Sequence, residues 1–257
     1  MIKLSKRLSA IASLVPPGSV LADIGTDHAL LPVYLVQQGI IPRAVAGELN
    51  AGPFEAARQQ VTRRNLDDRI SVRRGDGLSI LEPGEAETVT IAGMGGGLIV
   101  DILSAGLERL RGVRTLILQP NVAEDAVRRW LIDHDYVLTD ELIIEEDGIA
   151  YVILYALHEQ ATERTNAEVY KTRLLTGGFE ATEEDLVRFG PYLLERMDES
   201  FIRRWREEKD NLLRIKQRIE TSAESPEAKQ RLAAIEQEIQ RITEVLKCSH
   251  MDRPSSR

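Results

Sequence analysis

The chain has 257 residues, 43% of them apolar and 29% charged, enough for one sizeable core plus a smaller second unit and without the apolar depletion of a disordered chain. It has no run of 18 apolar residues, and MIKLSKRLSAIASLVPPG lacks a long apolar stretch before a small-residue cleavage site, so we expect no membrane span, no secretory signal and a cytoplasmic location. The net charge of −8 argues against an undirected electrostatic grip on nucleic acid, and the single cysteine, Cys248, excludes an internal disulfide and a cysteine-based metal cluster.

Leu4, Leu8, Ile11 and Val15 mark one face of a first helix, which PPG stops. The short apolar runs VLADIG, AVAGEL, ISVRRGD, TVTIAG and TLILQP then alternate with the helical stretches LLPVYLVQQG, GPFEAARQQVTRRN, GGLIVDILSAGLERL and VAEDAVRRWLIDHD. That alternation predicts right-handed crossovers and a mostly parallel α/β sheet covered on both faces. ELIIEED and YVILYAL are joined by EDGIA, whose Asp147-Gly148 reads as a hairpin turn; one antiparallel strand is expected to end the sheet.

The polar stretch HEQATERTNAE, residues 158–168, suggests a boundary, with residues 1–160 as the first domain and 161–257 as a helical second domain with a short tail. Pro191 can open a long helix to about Glu220, and Ser225 with Pro226 reads as an N-cap and first-turn proline of another. In the second helix Leu232, Ile235, Ile239, Ile242 and Leu246 alternate three and four apart, the pattern of a coiled-coil seam. Phe201, Trp205, Leu212, Ile215 and Ile219 keep the same register in the first, with Glu208 as the one failed position. The short TSAES connection predicts an antiparallel hairpin, which either packs only on itself or also grips a protein partner. Cys248 reads as a spare thiol near a frayed end.

Ligands of open parallel sheets bind beyond the C-terminal strand ends. Here those ends carry DIGTDHA, GELN, RRGDGL and IAGMGGG. Glu48 ends the second strand, 25 residues beyond Asp23, where a carboxylate can accept hydrogen bonds from both ribose hydroxyls of a nucleoside. Asp76 after the third strand can accept from an adenine amino group. A dinucleotide, however, would press its pyrophosphate onto the first loop, and Asp27 would repel it by about 4 kcal/mol per phosphate charge at about 4 Å. S-adenosylmethionine has no phosphate; its sulfonium and ammonium reverse the sign and make Asp23, Asp27 and the backbone around Gly25 favourable neighbours. The four loops together point to that cofactor and place a dehydrogenase last.

SKRL, DIGTDHALLP, GELNAGPFEAA, RRGDGL, TIAGMGG, LILQPN and LIIEEDGIAYVIL, in that order and followed by a helical hairpin, resemble the bacterial tRNA adenine-22 N1-methyltransferases. The resemblance runs from about Leu4 to Leu157 and includes the hairpin in layout. It implies a Rossmann-like class I methyltransferase fold, S-adenosylmethionine as methyl donor and N1 of a D-arm adenine in tRNA as acceptor. It further implies Asp23, Gly25, Thr26 and Asp27 around the methionine moiety, Glu48 at the ribose, Leu49 as a further cofactor contact, Asp76 and Gly77 at the adenine, and Gly93 and Met94 under the transferred methyl. AGMGGG departs from the Asn/Asp-Pro-Pro-aromatic pattern of methylases acting on the adenine amino group, and so disfavours that position.

Adenine N1 already carries an in-plane lone pair, so transfer needs alignment more than proton removal, and the product is a cation. Asp27 is the expected stabiliser of that charge, and Asn121 the residue that orients the base. Candidate tRNA contacts are Lys6 and Arg7 with Lys3, His28, and the arginine-rich stretch RRNLDDRISVRR, which supplies Arg63, Arg64, Arg69, Arg73 and Arg74, together with the helical hairpin. His134 and His158 have no ligand spacing, and no metal site is expected. Two other readings stay open: a small-molecule methyltransferase, and a non-catalytic module that senses S-adenosylmethionine.

Overall fold

The computed structural model describes residues 2–175, 178–220 and 225–248. Contacts divide the chain into two compact units, Met1–Val169 and Tyr170–Arg257. The polar stretch 158–168 lies within the first, where Asn166 Nδ2 donates to the Tyr136 carbonyl at 3.1 Å.

The first unit runs α1 (Lys6–Leu14), β1 (Leu21–Ile24), α2 (Leu30–Gln37), β2 (Ala44–Glu48), α3 (Ala51–Thr62), β3 (Ile70–Arg74), β4 (Thr88–Met94), α4 (Gly96–Ala105), β5 (Thr115–Pro120), α5 (Glu124–Asp133), β6 (Tyr136–Glu146), β7 (Ile149–His158) and α6 (Asn166–Val169). Ser5 caps α1 by accepting from Leu8 N–H, and the helix ends before Pro16, burying Ile11 and Ala12. The sheet order is β3-β2-β1-β4-β5-β7-β6. β1 is buried along its whole length because it pairs with β2 on one side and β4 on the other, both parallel. The connections therefore reverse direction at β1/β4, which opens a crevice beyond their C-terminal ends.

β7 is the one antiparallel strand, but it lies second from the edge, between β5 and β6, and not at the end of the sheet as the sequence suggested. The apolar YVILYAL gains neighbours on both sides, while β6, with Asp140, Glu145 and Glu146, takes the edge, where charge discourages further strand pairing. The connecting Asp147 (φ 52°) and Gly148 (φ 78°) both adopt left-handed backbone, as a two-residue type I′ hairpin requires.

In the second unit a short antiparallel pair, β8 (Arg173–Leu174) with β9 (Glu180–Ala181), precedes α7 (Glu183–Phe189), α8 (Pro191–Arg196), α9 (Glu199–Glu220) and α10 (Pro226–Cys248). The single helix expected from Pro191 to Glu220 is two helices. Met197 (φ 40°) breaks it, and Asp198 Oδ1 accepts from Phe201 N–H to cap α9. α7 passed unnoticed in the sequence, although Thr182 and Asp185 form a reciprocal capping box at its start. Asp185 is also gripped by the Arg241 guanidinium, which lies over the Phe179 ring.

The seam residues of α9 and α10 are the less exposed face of each helix, Glu208 is half-buried, and Lys216 bridges to Glu236 at 2.8 Å. Residues 221–224 of the expected TSAES turn and the tail from 249 lie outside the described residues. Cys248 is buried on the last turn of α10, not a loose thiol. Among the described residues no helix is long and apolar enough to cross a membrane, and no group of three or more His, Cys, Asp or Glu could hold a metal ion.

Candidate active site

A cleft of about 470 Å³ lies beyond the C-terminal ends of β1, β2, β3 and β4. Asp23, Gly25, Thr26, Asp27, Glu48, Leu49, Asp76, Gly77, Gly93 and Met94 all line it, as does His28. The sheet register explains the convergence: Asp23, Ala46 and Thr90 are level on β1, β2 and β4, so the loops after them open side by side.

Asp23 is buried at the floor. Its Oδ2 accepts from Thr26 Oγ1 and its Oδ1 from Thr90 Oγ1, each at 2.6 Å. Burial nevertheless dominates and pushes its pKa up to about 6, the two hydroxyl bonds only partly offsetting it. A cationic ligand placed against Asp23 would repair that penalty.

The following loop turns sharply. Gly25 has φ 70°, and a Cβ there would stand 2.2 Å from Met94 Cε. Its amide and that of Thr26 both donate to the Gly47 carbonyl at 2.9 Å. Two of the amides that a pyrophosphate would need are therefore spent inside the protein. Asp27 (φ 53°) is a non-glycine residue in left-handed backbone, its side chain 69% exposed at the rim with Oδ1 3.5 Å from His28 Nε2. Such a conformation costs energy and concentrates at working sites.

At the second strand end Glu48 is buried. Its Oε1 accepts from the backbone and side-chain nitrogens of Asn50 at 2.9 and 3.3 Å, and Oε2 has no hydrogen-bond partner among the described residues. Leu49 is half-exposed against the same cleft. Asp76 is exposed and begins a tight turn with Gly77 (φ 50°).

β4 carries a bulge that the sequence did not reveal. Ala92 pairs with Gln119 and Met94 with Pro120, leaving Gly93 (φ 78°) as the extra residue. Its peptide groups are satisfied by side chains at the end of β5: Gly93 N–H donates to Gln119 Oε1 (3.1 Å), and Asn121 Nδ2 donates to the Gly93 carbonyl (2.9 Å). The buried Gln119 also accepts from Arg7 Nη1 (2.5 Å) and donates to Asn121 Oδ1 (3.1 Å). Asn121 thus stands beside the cleft wall, braced against the bulge. Gln119 sat within the predicted strand TLILQP, with nothing but its polarity in an apolar run to mark it.

The predicted RNA contacts divide. Lys3, Lys6 and Arg63 are exposed, and Arg64 is half-buried. Arg73 forms a two-bond ion pair with Glu85 at 2.6 and 2.8 Å and donates to the Ile80 carbonyl, so it fastens β3 to the loop before β4. Arg69 likewise donates to the carbonyls of Ile41 and Pro42. Arg7 is not beside Lys6 on the outer surface but in the cleft wall. Leu98 and Ile102 of α4 also line the cleft; helical periodicity alone marked them only as helix residues.

α4 starts hard against the chain after β5. A Cβ on Gly96 would lie 2.2 Å from the Ala123 carbonyl oxygen and 2.8 Å from that of Val122. Backbone cannot swing aside as a methionine can. Gly96→Ala should therefore destabilise the protein by about 2 kcal/mol or more, seen as a drop of several degrees in melting temperature; an unchanged melt would show that the two segments separate freely.

The profile of the tRNA (adenine(22)-N(1))-methyltransferase family matches residues 21–244. The tRNA (adenine(22)-N(1))-methyltransferase of Bacillus subtilis (strain 168) is 40% identical over 245 residues, which cover 95% of this chain and 98% of that protein. The crystal structure of the B. subtilis M1A22 tRNA methyltransferase TrmK superposes with a TM-score of 0.86 at 39% identity, covering 96% of this chain and all of that one. Streptococcus pneumoniae Sp1610, crystallised in complex with S-adenosyl-L-methionine, superposes with a TM-score of 0.77 at 36% identity over 95% of this chain and 100% of its own. With a matching profile over most of its length and a 40% identical relative covered almost throughout, the chain belongs to the tRNA (adenine(22)-N(1))-methyltransferase family.

Proposed function

We propose that this protein transfers a methyl group from S-adenosylmethionine to N1 of adenine 22 in the D-arm of tRNA. One observation carries the donor: the cleft gathers Asp23, Asp27, Glu48 and Asp76 while the Gly25 and Thr26 amides close on Gly47, an arrangement that suits a cation and repels a pyrophosphate. Family membership carries the acceptor.

The bound donor supplies an electrophilic methyl on a sulfonium. Asp23 faces the ammonium at the floor, Glu48 Oε2 takes ribose hydroxyls, with Leu49 beside the sugar, and Asp76 with Gly77 meets the adenine edge. The bulged Gly93 and Met94 form the surface beneath the methyl. The acceptor N1 lies on the pairing edge of its base, so the adenine must leave its helix before its lone pair can align. Asp27, at the rim, then stabilises the positive charge that grows on the methylated ring. Asn121 holds the Gly93 peptide and borders the acceptor, and His28 beside Asp27 contacts the base. The cytoplasm, where tRNA is modified, is the compartment this reading implies.

Unmodified tRNA incubated with protein and S-adenosylmethionine should yield 1-methyladenosine by nucleoside mass spectrometry, and none when position 22 is not adenine. Donor binding without any tRNA product would favour the sensing module or the small-molecule enzyme.

Lys3, Lys6 and Arg63, with cations of the helical hairpin, are the proposed phosphate contacts. Changing Lys3, Lys6 and Arg63 together to glutamine should weaken tRNA binding and lower the slope of log K against log salt by about two. An unchanged slope would remove them from the interface.

A further inference from the structure

We propose that the protein holds a phosphoryl group in a second cavity, at the end of the sheet away from the cleft, between Arg111, Arg114 and His158. This cavity measures about 560 Å³. It lies where the chain enters β5 and leaves β7, since Arg114 directly precedes β5 and His158 is the last residue of β7. The cleft opens beyond the other end of the parallel strands, a strand length of about 20 Å away, and the two share no lining residue.

Charge separates the two sites. The cleft gathers Asp23, Asp27, Glu48 and Asp76, whereas no carboxylate lines the second cavity among the described residues. Neither the Arg111 nor the Arg114 guanidinium has a hydrogen-bond or ion-pair partner among them. In a chain of net charge −8, two unpaired arginines beside an imidazole form a local positive hollow, and an anion placed there removes their mutual repulsion.

The backbone of the turn before β5 leans the same way. Its Leu110 carbonyl accepts from Val113 N–H (2.9 Å), that of Arg111 from Gly84 N–H (2.8 Å), that of Val113 from the Tyr136 hydroxyl (3.1 Å) and that of Arg114 from His158 N–H (2.9 Å). Gly112 N–H has no acceptor among the described residues. Four acceptors are thus spent inside the protein while a donor is left over. Gly112 is confined to glycine, with φ 89° and a Cβ position only 3.2 Å from Gly84 Cα, so the turn offers its arginines from a fixed base. His158 is oriented too: Nδ1 accepts from Gln160 N–H at 3.3 Å, which leaves Nε2 to carry the proton and donate, and the ring stands edge-on to Tyr136 at 5.2 Å. Guanidinium forks match the oxygens of a phosphoryl group in pairs. No Phe, Tyr or Trp lines the cavity among the described residues, so it reads the phosphate and not a base attached to it. A free phosphorylated molecule and an RNA backbone both offer that group.

Calorimetry on the full chain with pyrophosphate as probe tests this, with S-adenosylhomocysteine present and ionic strength held constant by sodium chloride. Arg111→Gln combined with Arg114→Gln should weaken pyrophosphate binding by about tenfold to a hundredfold. The same variant should keep its melting temperature without pyrophosphate and its affinity for S-adenosylhomocysteine, because neither arginine has a partner to lose. A tRNA titration then separates the sources. A fall of about one in the slope of log K against log salt assigns the phosphate to RNA, whether or not pyrophosphate binds; weakened pyrophosphate binding with an unchanged slope assigns it to a small phosphorylated molecule. Equal pyrophosphate binding by variant and wild type, or no pyrophosphate binding together with an unchanged slope, would overturn the site and leave the methyl-transfer reading as it was.

Discussion

Asp27→Asn is expected to lower methyl transfer to tRNA by about a hundredfold or more while the melting temperature stays within a few degrees of wild type. Asparagine is the informative choice because residue 27 has φ 53°, a region that asparagine tolerates better than other side chains with a Cβ, so the backbone turn survives and only the charge is removed. Alanine would combine the loss of charge with added backbone strain. The expected size follows from the chemistry: the acceptor is neutral before transfer and cationic after it, so a carboxylate at the rim helps the transition state more than the bound substrate. Cofactor affinity should change much less than turnover, because Asp23 remains at the floor. Near-normal turnover by Asp27→Asn would show that the growing charge is met by solvent or by the RNA.

Asp23→Asn should move stability and affinity in opposite directions. Burial raises the Asp23 pKa from 3.8 to about 6, so folding takes up a proton between those values. The sign follows from linkage: the folded state binds the extra proton, so this group's contribution to stability falls as pH rises from about 4 through 6 and is constant above that. At pH 7.5 the ionised group then costs roughly 3 kcal/mol, since each tenfold change in proton affinity between the folded and unfolded chain corresponds to about 1.4 kcal/mol. The asparagine variant, melted without added cofactor at pH 7.5, should be as stable as wild type or more so, up to about that amount, provided the Thr26 and Thr90 hydroxyls rotate to serve the new amide. Its affinity for S-adenosylhomocysteine should fall by about tenfold or more, because the ammonium loses its counter-charge. In wild type, affinity should weaken as pH drops below about 6, by up to about tenfold for each further pH unit, and in the variant this dependence should vanish. A wild-type-like pH profile in Asp23→Asn would sever Asp23 from the cofactor.

The parallel sheet, the four distinctive strand ends and the acidic lining were legible in the chain itself, since each follows from local period and from residues next to one another. DIGTDHA announces a turn with a carboxylate, and GELN and RRGDGL place two more at equivalent strand ends. The arginine-rich stretch illustrates the limit. Its five arginines look alike in sequence, yet Arg73 meets Glu85 where the chain after β3 folds back, and Arg69 meets the carbonyls of Ile41 and Pro42, which the pairing of β3 with β2 brings near.

What the sequence alone determined was the sign of the pocket and the order of the elements that build it, because charge and hydrophobic period are properties of consecutive residues. The tertiary structure decided which side chains share the cleft. The bulge at Gly93, the Gln119 bracket and the inward turn of Arg7 come from segments about 26 to 112 positions apart, and their partners are fixed by strand register and burial. A buried polar group must find a partner wherever the fold supplies one, and no local pattern states where that will be.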